Sequence, residues 1–392
     1  MSRIRFLRLM TWVMAVFGTT AFAATPDELY ERVKAARTQQ YSWQQWPAST
    51  DEEKTARDTE RQRANQAVAE AAGEFLGTAP DDARKWEVWS TLMSAERRFS
   101  GPLAKADERA WQTLRKEVNE QILTFPDVPD AVWERAMIGE IMSARRGVEE
   151  ERRTKGTANP AAWRATLDRL TACVPGSRML GAFEGHYADF LLEQSNRDGE
   201  QFLQRMTGSS NPQVAGMAQG KLNVRAAAKG PLDLRFTAAD GRKVDLTGLR
   251  GKVVIIDFWA TWCVPCLKEL PNTKAAYEAY KAHGVEMLGI SFDHAPKDPV
   301  KPGRSDRTRE QFLADAAKLG MDWPQYYDGL GWDCALGRQF NIVSIPRIWV
   351  LNQEGILQTQ FAEGRKLWDL LAALTGYRAE IPAEFQETDR KS

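Results

Sequence analysis

Val253-Val-Ile-Ile-Asp-Phe-Trp-Ala-Thr-Trp-Cys-Val-Pro-Cys266 is the stretch on which the reading of this chain turns. Its first seven residues, Val253 to Trp259, form an apolar run broken only by Asp257, the pattern of a strand buried on both faces of a sheet. A helical stretch follows from about Cys263 to Lys281. Two cysteines separated by two residues at such a hand-over can close a disulfide inside one helical turn. A helix start offers unpaired N–H groups and a partial positive charge, which favour a thiolate. Cys263, at the helix start and expected to be the less covered, reads as the attacking thiol. Cys266, one turn in, reads as the resolving thiol that expels a mixed disulfide. Zinc would need two more ligands, and neither Cys173 nor Cys334 forms a second C-x-x-C. An inert structural disulfide is the other reading of the motif by itself.

Outward from this stretch, strands and helices alternate. Leu232 to Phe236 and Lys243 to Leu246 flank a hairpin turn at Ala239-Asp-Gly241. Glu286 to Phe292 reads as a second buried strand, Arg347 to Leu351 as a third, and Ile356 to Phe361 as a fourth after a turn at Gln353-Glu-Gly355. Asp306 to Leu319 and Lys366 to Leu374 read as helices. The pattern predicts an α/β domain over 229–380, with a mixed central sheet and helices on both faces. The polar tail over 381–392 is expected to fray.

The preceding half, 24–228, has a different texture. Trp111, Leu114, Val118, Ile122 and Phe125 recur with a helical period, and so do Phe183, Tyr187, Phe190 and Leu191. Turn signals such as Thr78-Ala-Pro80, Asn159-Pro160 and Pro175-Gly176 break the pattern. The spacing suggests an all-α domain of stacked helical hairpins, with no fixed repeat. Trp86, Trp89, Trp111, Trp133 and Trp163 mostly occupy apolar stripes, so core packing is expected of them; a peptide-binding aromatic surface is the alternative. The fold class is thus α plus α/β.

The first 23 residues read as an address rather than as structure. Arg3, Arg5 and Arg8 precede an apolar stretch from Leu9 to Gly18, and Ala21-Phe-Ala23 supplies a cleavage site, the layout of a secretory signal peptide. The apolar run falls short of the roughly 20 residues of a comfortable span. The mature chain is expected in the periplasm or elsewhere outside the cytoplasm, soluble or peripherally associated, where cysteines can be oxidised. Composition sets limits on the rest. Of 392 residues 43% are hydrophobic, enough to build real cores, and Lys+Arg 53 balance Asp+Glu 53, which excludes a bulk-electrostatic nucleic-acid binder. Four cysteines are too few for a disulfide scaffold, and three isolated histidines, His186, His283 and His294, leave little for a metal site. No cofactor is expected.

Asp257-Phe-Trp-Ala-Thr-Trp-Cys-Val-Pro-Cys266 resembles the active-site segment of the thioredoxin superfamily, and Ser344-Ile-Pro346 resembles its cis-proline loop. With Pro231 to Phe236 and Gly289-Ile-Ser-Phe-Asp293, the pattern is similar to the TlpA/ResA-like group of extracytoplasmic thiol-disulfide oxidoreductases, over about residues 229 to 378. The resemblance implies a thioredoxin-like fold and protein thiol or disulfide substrates, with a membrane-bound electron donor. It implies a cis Pro346 that sets the Ile345 backbone beside Cys263, where a substrate strand pairs. It implies that Asp257 relays a proton to or from Cys266, and that Trp262 shapes the rim around the sulfurs. Two features depart from the family: the dipeptide between the cysteines is Val-Pro, and Cys334 stands where the family usually has none. Cys334 reads as a regulatory thiol, a bridge to Cys173 or a buried inert thiol. The leading expectation is a secreted disulfide reductase. Alternatives are a disulfide isomerase, a partner-binding helical array with an accessory redox domain, and, less favoured, a thiol peroxidase; Ile256 and Ala260 stand where that last chemistry needs Pro and Thr.

Overall fold

The computed structural model describes residues 24–42, 50–94, 113, 116–120, 122–124, 128–298, 303 and 305–385. The expected leader, Trp111, Phe125 and the tail from 386 lie outside them. The chain divides into two compact units, Met1–Ser177 and Arg178–Ser392.

The first unit is helical: α1 (Pro26–Ser42), α2 (Asp51–Thr78), α3 (Lys85–Ser94), α4 (Asp130–Lys155) and α5 (Ala161–Cys173). Helix α2 opens with a capping box, in which the Thr50 hydroxyl accepts from the Glu53 amide and the Glu53 carboxylate accepts from the Thr50 amide. Two N–H groups that the helix cannot pair are thereby satisfied. Val33, Phe75, Leu76, Val88, Trp89 and Leu92 lie in one core. Trp86, Trp89 and Trp163 are buried, and Trp133 is half-buried against the same core, so these rings pack as their stripes predict.

The second unit starts with helices α6 (Leu180–Gln194), α7 (Asn196–Met206) and α8 (Pro212–Lys229), which pack on one another. A hairpin of β1 (Arg235–Thr237) and β2 (Lys243–Asp245) follows. The chain then runs through β3 (Val253–Trp259), α9 (Val264–Lys281), β4 (Val285–Ser291), α10 (Arg309–Lys318), β5 (Gln325–Tyr326), α11 (Ala335–Gln339), β6 (Arg347–Leu351), β7 (Leu357–Thr359) and α12 (Arg365–Thr375). The sheet order is β5-β4-β3-β6-β7, with β3 parallel to β4, β4 parallel to β5, and both β3–β6 and β6–β7 antiparallel. This is the mixed central sheet that the alternating strands and helices predict. All seven residues of β3 are buried, as a central strand covered on both faces requires.

The sequence predicts a helical half ending at 228, and α8 runs to Lys229. The second compact unit nevertheless reaches back to Arg178, because α8 is bonded to the segment that leads into β6. Asn223 Nδ2 on α8 donates to the Gln339 carbonyl at 2.7 Å, and Gly220 gives Asn341 room that a Cβ would occupy. Strand β5 went unread: two residues, one of them Gln325, carry no period. Among the described residues no helix is long and apolar enough to cross a membrane.

Candidate active site

Strand β3 delivers its chain to a four-residue turn, Ala260 to Cys263, at which α9 begins. Cys263 is the N-cap of α9, and its sulfur accepts the Cys266 amide at 3.2 Å. A sulfur placed so meets the positive end of the helix dipole and an unpaired N–H, both of which stabilise negative charge. Pro265, in the first helical turn, costs no hydrogen bond there. Cys263 and Cys266 are joined, with S–S 2.02 Å. The two are covered alike, 4% and 5% exposed, so the expectation that Cys263 would be the less covered does not hold in this oxidised form. Bonded sulfurs share one depth; what separates them is the N-cap position, which Cys263 alone holds.

The turn is moulded on the end of β4. The Phe292 amide donates to the Trp259 carbonyl at 2.8 Å, and Trp262 Nε1 donates to the Phe292 carbonyl at 3.2 Å. Next to them the fully buried Asp293 carboxylate accepts the Thr261 amide at 3.1 Å, the Thr261 hydroxyl at 2.5 Å and the Ser291 hydroxyl at 2.7 Å. Trp259 is core: its Nε1 donates to Gln325 Oε1 at 3.0 Å, in space that opens because Gly289 has no side chain. Trp262 is half-buried, its ring 6.0 Å from that of Trp332.

Asp257 is buried in β3, paired with Gly289 on β4 and Ile348 on β6. Burial, reinforced by the charges of Glu269 and Glu363, pushes its carboxyl up to about 7. Near neutral pH such a group is present in both forms and can accept or give a proton. Glu269 stands one turn beyond Cys266 and is held by the Gly364 amide at 2.8 Å and Asn272 Nδ2 at 2.7 Å. Glu363 is also raised, first by burial and then by Glu269, with Arg347 working in the opposite direction.

The Ile345–Pro346 peptide is cis, and both residues are half-buried. Arg347 pairs with Phe258, so the Val343–Pro346 segment enters β6 at the end of the sheet where the disulfide turn leaves β3. The fold therefore brings Cys263, Cys266, Trp262, Ile345 and Pro346 to one sheet end, with Asp257 inside the strand beneath. Cys334, just before α11, is a buried free thiol, and burial pushes it up to about 11; Cys173 is a free, exposed thiol on α5. Sequence reasoning missed Glu269 and Asp293. The first could have been found from its place three residues after Cys266. The second lies 32 residues from the Thr261 it holds, and no local pattern signals that.

Residues 223–374 match the Redoxin family. The thioredoxin-like protein YneN of Bacillus subtilis is 27% identical over 126 residues, which are 32% of this chain and 65% of that protein. The thiol-disulfide oxidoreductase ResA of Bacillus anthracis is 44% identical over 57 residues, 14% of this chain and 33% of that one. The chain thus spans less than two thirds of either curated relative. Among solved structures, a thiol-disulfide oxidoreductase from Bacteroides fragilis aligns with TM-score 0.32 and 23% identity, over 37% of this chain and 98% of its own. The C-terminal part of the chain carries a Redoxin domain, and these likenesses cover the C-terminal region only.

Proposed function

We propose that this chain is an extracytoplasmic thiol-disulfide oxidoreductase that reduces protein disulfides through Cys263 and Cys266. The observation that carries the reading is the bonded pair at the strand-to-helix turn, with the Cys263 sulfur capping α9 and receiving the Cys266 amide.

In the reducing direction the Cys263 thiolate attacks one sulfur of the client disulfide. That S–S bond breaks, a Cys263–client disulfide forms, and the other client sulfur leaves and takes up a proton. Cys266 then gives its proton to Asp257 and attacks the Cys263 sulfur. The intramolecular disulfide forms, and the second client sulfur leaves as a thiolate and takes up a proton. Two electrons have passed from the dithiol to the client, and an external dithiol donor, which we assign to the membrane, restores the pair. The Ile345 backbone pairs with the client segment and Pro346 holds it there, as the resemblance implies and as the shared sheet end supports. The residues 1–23 act as the export leader. Residues 24–228 form, in this reading, a helical portion whose last helix serves the redox domain.

The full chain, supplied with dithiothreitol, is expected to reduce insulin disulfides, and Cys263→Ser to abolish the activity. Cys266→Ser is expected to trap the mixed disulfide with the client. Retained turnover in Cys263→Ser overturns the reading.

A further inference from the structure

Exposed apolar side chains are unevenly placed on this chain. Seven large hydrophobics are exposed among the described residues, and Val264, Leu330, Trp332, Val343 and Phe361 are five of them. The sheet register puts these five at the disulfide end. Val264 lies between the cysteines, and Val343 lies three residues before Pro346. Phe361 follows β7, one residue before Ala362, whose amide bonds to the Ile348 carbonyl. Leu330 and Trp332 follow β5, whose Tyr326 pairs with Ile290 near the end of β4. Tyr377, by contrast, stacks on His283 at 3.5 Å, at the sheet end where β4 begins.

The loop that carries Leu330 and Trp332 is tied down throughout. The Asp328 carboxylate accepts the Leu330 amide at 3.0 Å and the Ala335 amide at 2.9 Å, so one side chain closes the loop on itself. The Gly331 amide donates to the Asp293 carbonyl at 3.2 Å. Gly329 and Gly331 adopt φ of 72° and 58°, a region that side chains disfavour. The Trp332 ring lies 6.0 Å from Trp262 and 5.1 Å from Phe292, yet stays 43% exposed, with Leu330 at 53%. A loop held so firmly could present polar residues to water at no loss to the core. Displaying two large apolar ones instead is the mark of a surface awaiting a partner.

We propose that Leu330 and Trp332 form a docking wall for a large apolar side chain one or two residues from the client's reacting cysteine. The occupant is the extended client segment itself. Trp332 rests on Trp262, which immediately precedes Cys263, so a polypeptide whose sulfur reaches Cys263 carries its neighbours over this ring. Preferred substrates are then polypeptide disulfides with aromatic or aliphatic flanks. This inference rests on the oxidoreductase reading and narrows its substrate class.

The test uses the full chain and two disulfide-linked peptides, identical but for Leu or Ser two residues from the cysteine. The wild type is expected to favour the Leu peptide by about tenfold in kcat/KM, the factor that burial of about 55 Å² of apolar surface yields. In Trp332→Ala the ratio falls to about one. Leu330→Ser, which changes only an exposed residue, lowers it several-fold and stands in if Trp332→Ala does not fold. Tyr377→Ala, an exposed aromatic at the other sheet end, keeps the wild-type ratio. A wild-type ratio near one, or a ratio that survives both wall substitutions, overturns the docking wall and leaves the oxidoreductase reading standing. Collapse of the ratio in Tyr377→Ala overturns it as well. Failure of the wild type to reduce either peptide strikes the oxidoreductase reading itself.

Discussion

Asp293 holds Thr261 by both of that residue's donors, the amide at 3.1 Å and the hydroxyl at 2.5 Å, from a position without solvent exposure. The residue two before the N-cap sulfur is thus fixed by a side chain from the neighbouring strand's end. Asp293→Ala leaves the Thr261 amide and the Ser291 hydroxyl without their acceptor. The expected loss is about 3 kcal/mol in urea unfolding, with a smaller loss in Asp293→Asn, which keeps one oxygen. A loss below about 1 kcal/mol would show that water replaces the carboxylate without penalty.

Asp257 ties stability to pH in a defined direction. Its carboxyl titrates at about 7 in the folded chain against an ordinary value of 3.8, so the fold keeps a proton that the unfolded chain releases. Stability therefore falls as pH rises from about 4 to about 7 and stays reduced above that. Asp257→Asn is expected to be more stable than wild type near pH 8, on the order of 4 kcal/mol at most, and to show no gain near pH 3. Disulfide reduction should fall about a hundredfold in the same variant, the usual contribution of a placed proton acceptor. An equal stability gain at both pH values would refute the titration.

Glu269→Gln keeps an oxygen for the Gly364 amide and removes a charge that helps to raise Asp257. The midpoint of the pH–rate curve for disulfide reduction is expected to move below that of the wild type. A midpoint that stays in place or rises contradicts the electrostatic link.

The two cysteines outside the turn should differ in reactivity. Cys173 is exposed and Cys334 is buried, with its thiol pushed up to about 11. Treatment of the native, oxidised chain with a thiol-specific reagent is expected to label Cys173 promptly and Cys334 only after unfolding, since the thiolate is the reacting form. Mass spectrometry of the labelled chain reads the outcome directly. Prompt labelling at Cys334 would mean that the 328–334 loop opens in solution.

The chemistry was legible because it is local. An apolar run interrupted only by Asp257, two cysteines one helical turn apart and an Ile-Pro before a strand are all patterns within a few residues, and each of the strands they imply appears. What sequence could not supply is contact across distance. Glu269 reaches Gly364 and Asn223 reaches Gln339 over stretches with no shared period. Strand β5 is two residues long and exists because β4 offers it an edge. The similar cover of Cys263 and Cys266 was unreadable for a related reason: exposure depends on which residues fold over the turn, and Trp332, which lies against its rim, comes from 70 positions downstream.

The bond from Asn223 to Gln339, and the seat that Gly220 gives Asn341, have a consequence for any attempt to isolate the Redoxin domain. Asn341 sits two residues before Val343 and five before Pro346, so the segment proposed to bind the client is braced from behind by a helix that precedes the Redoxin strands. A chain trimmed to begin at 230 would keep every side chain of the proposed chemistry and lose that brace, leaving an apolar scar beside the segment proposed for recognition. The cut that spares the loop falls before Arg178, where the compact unit begins.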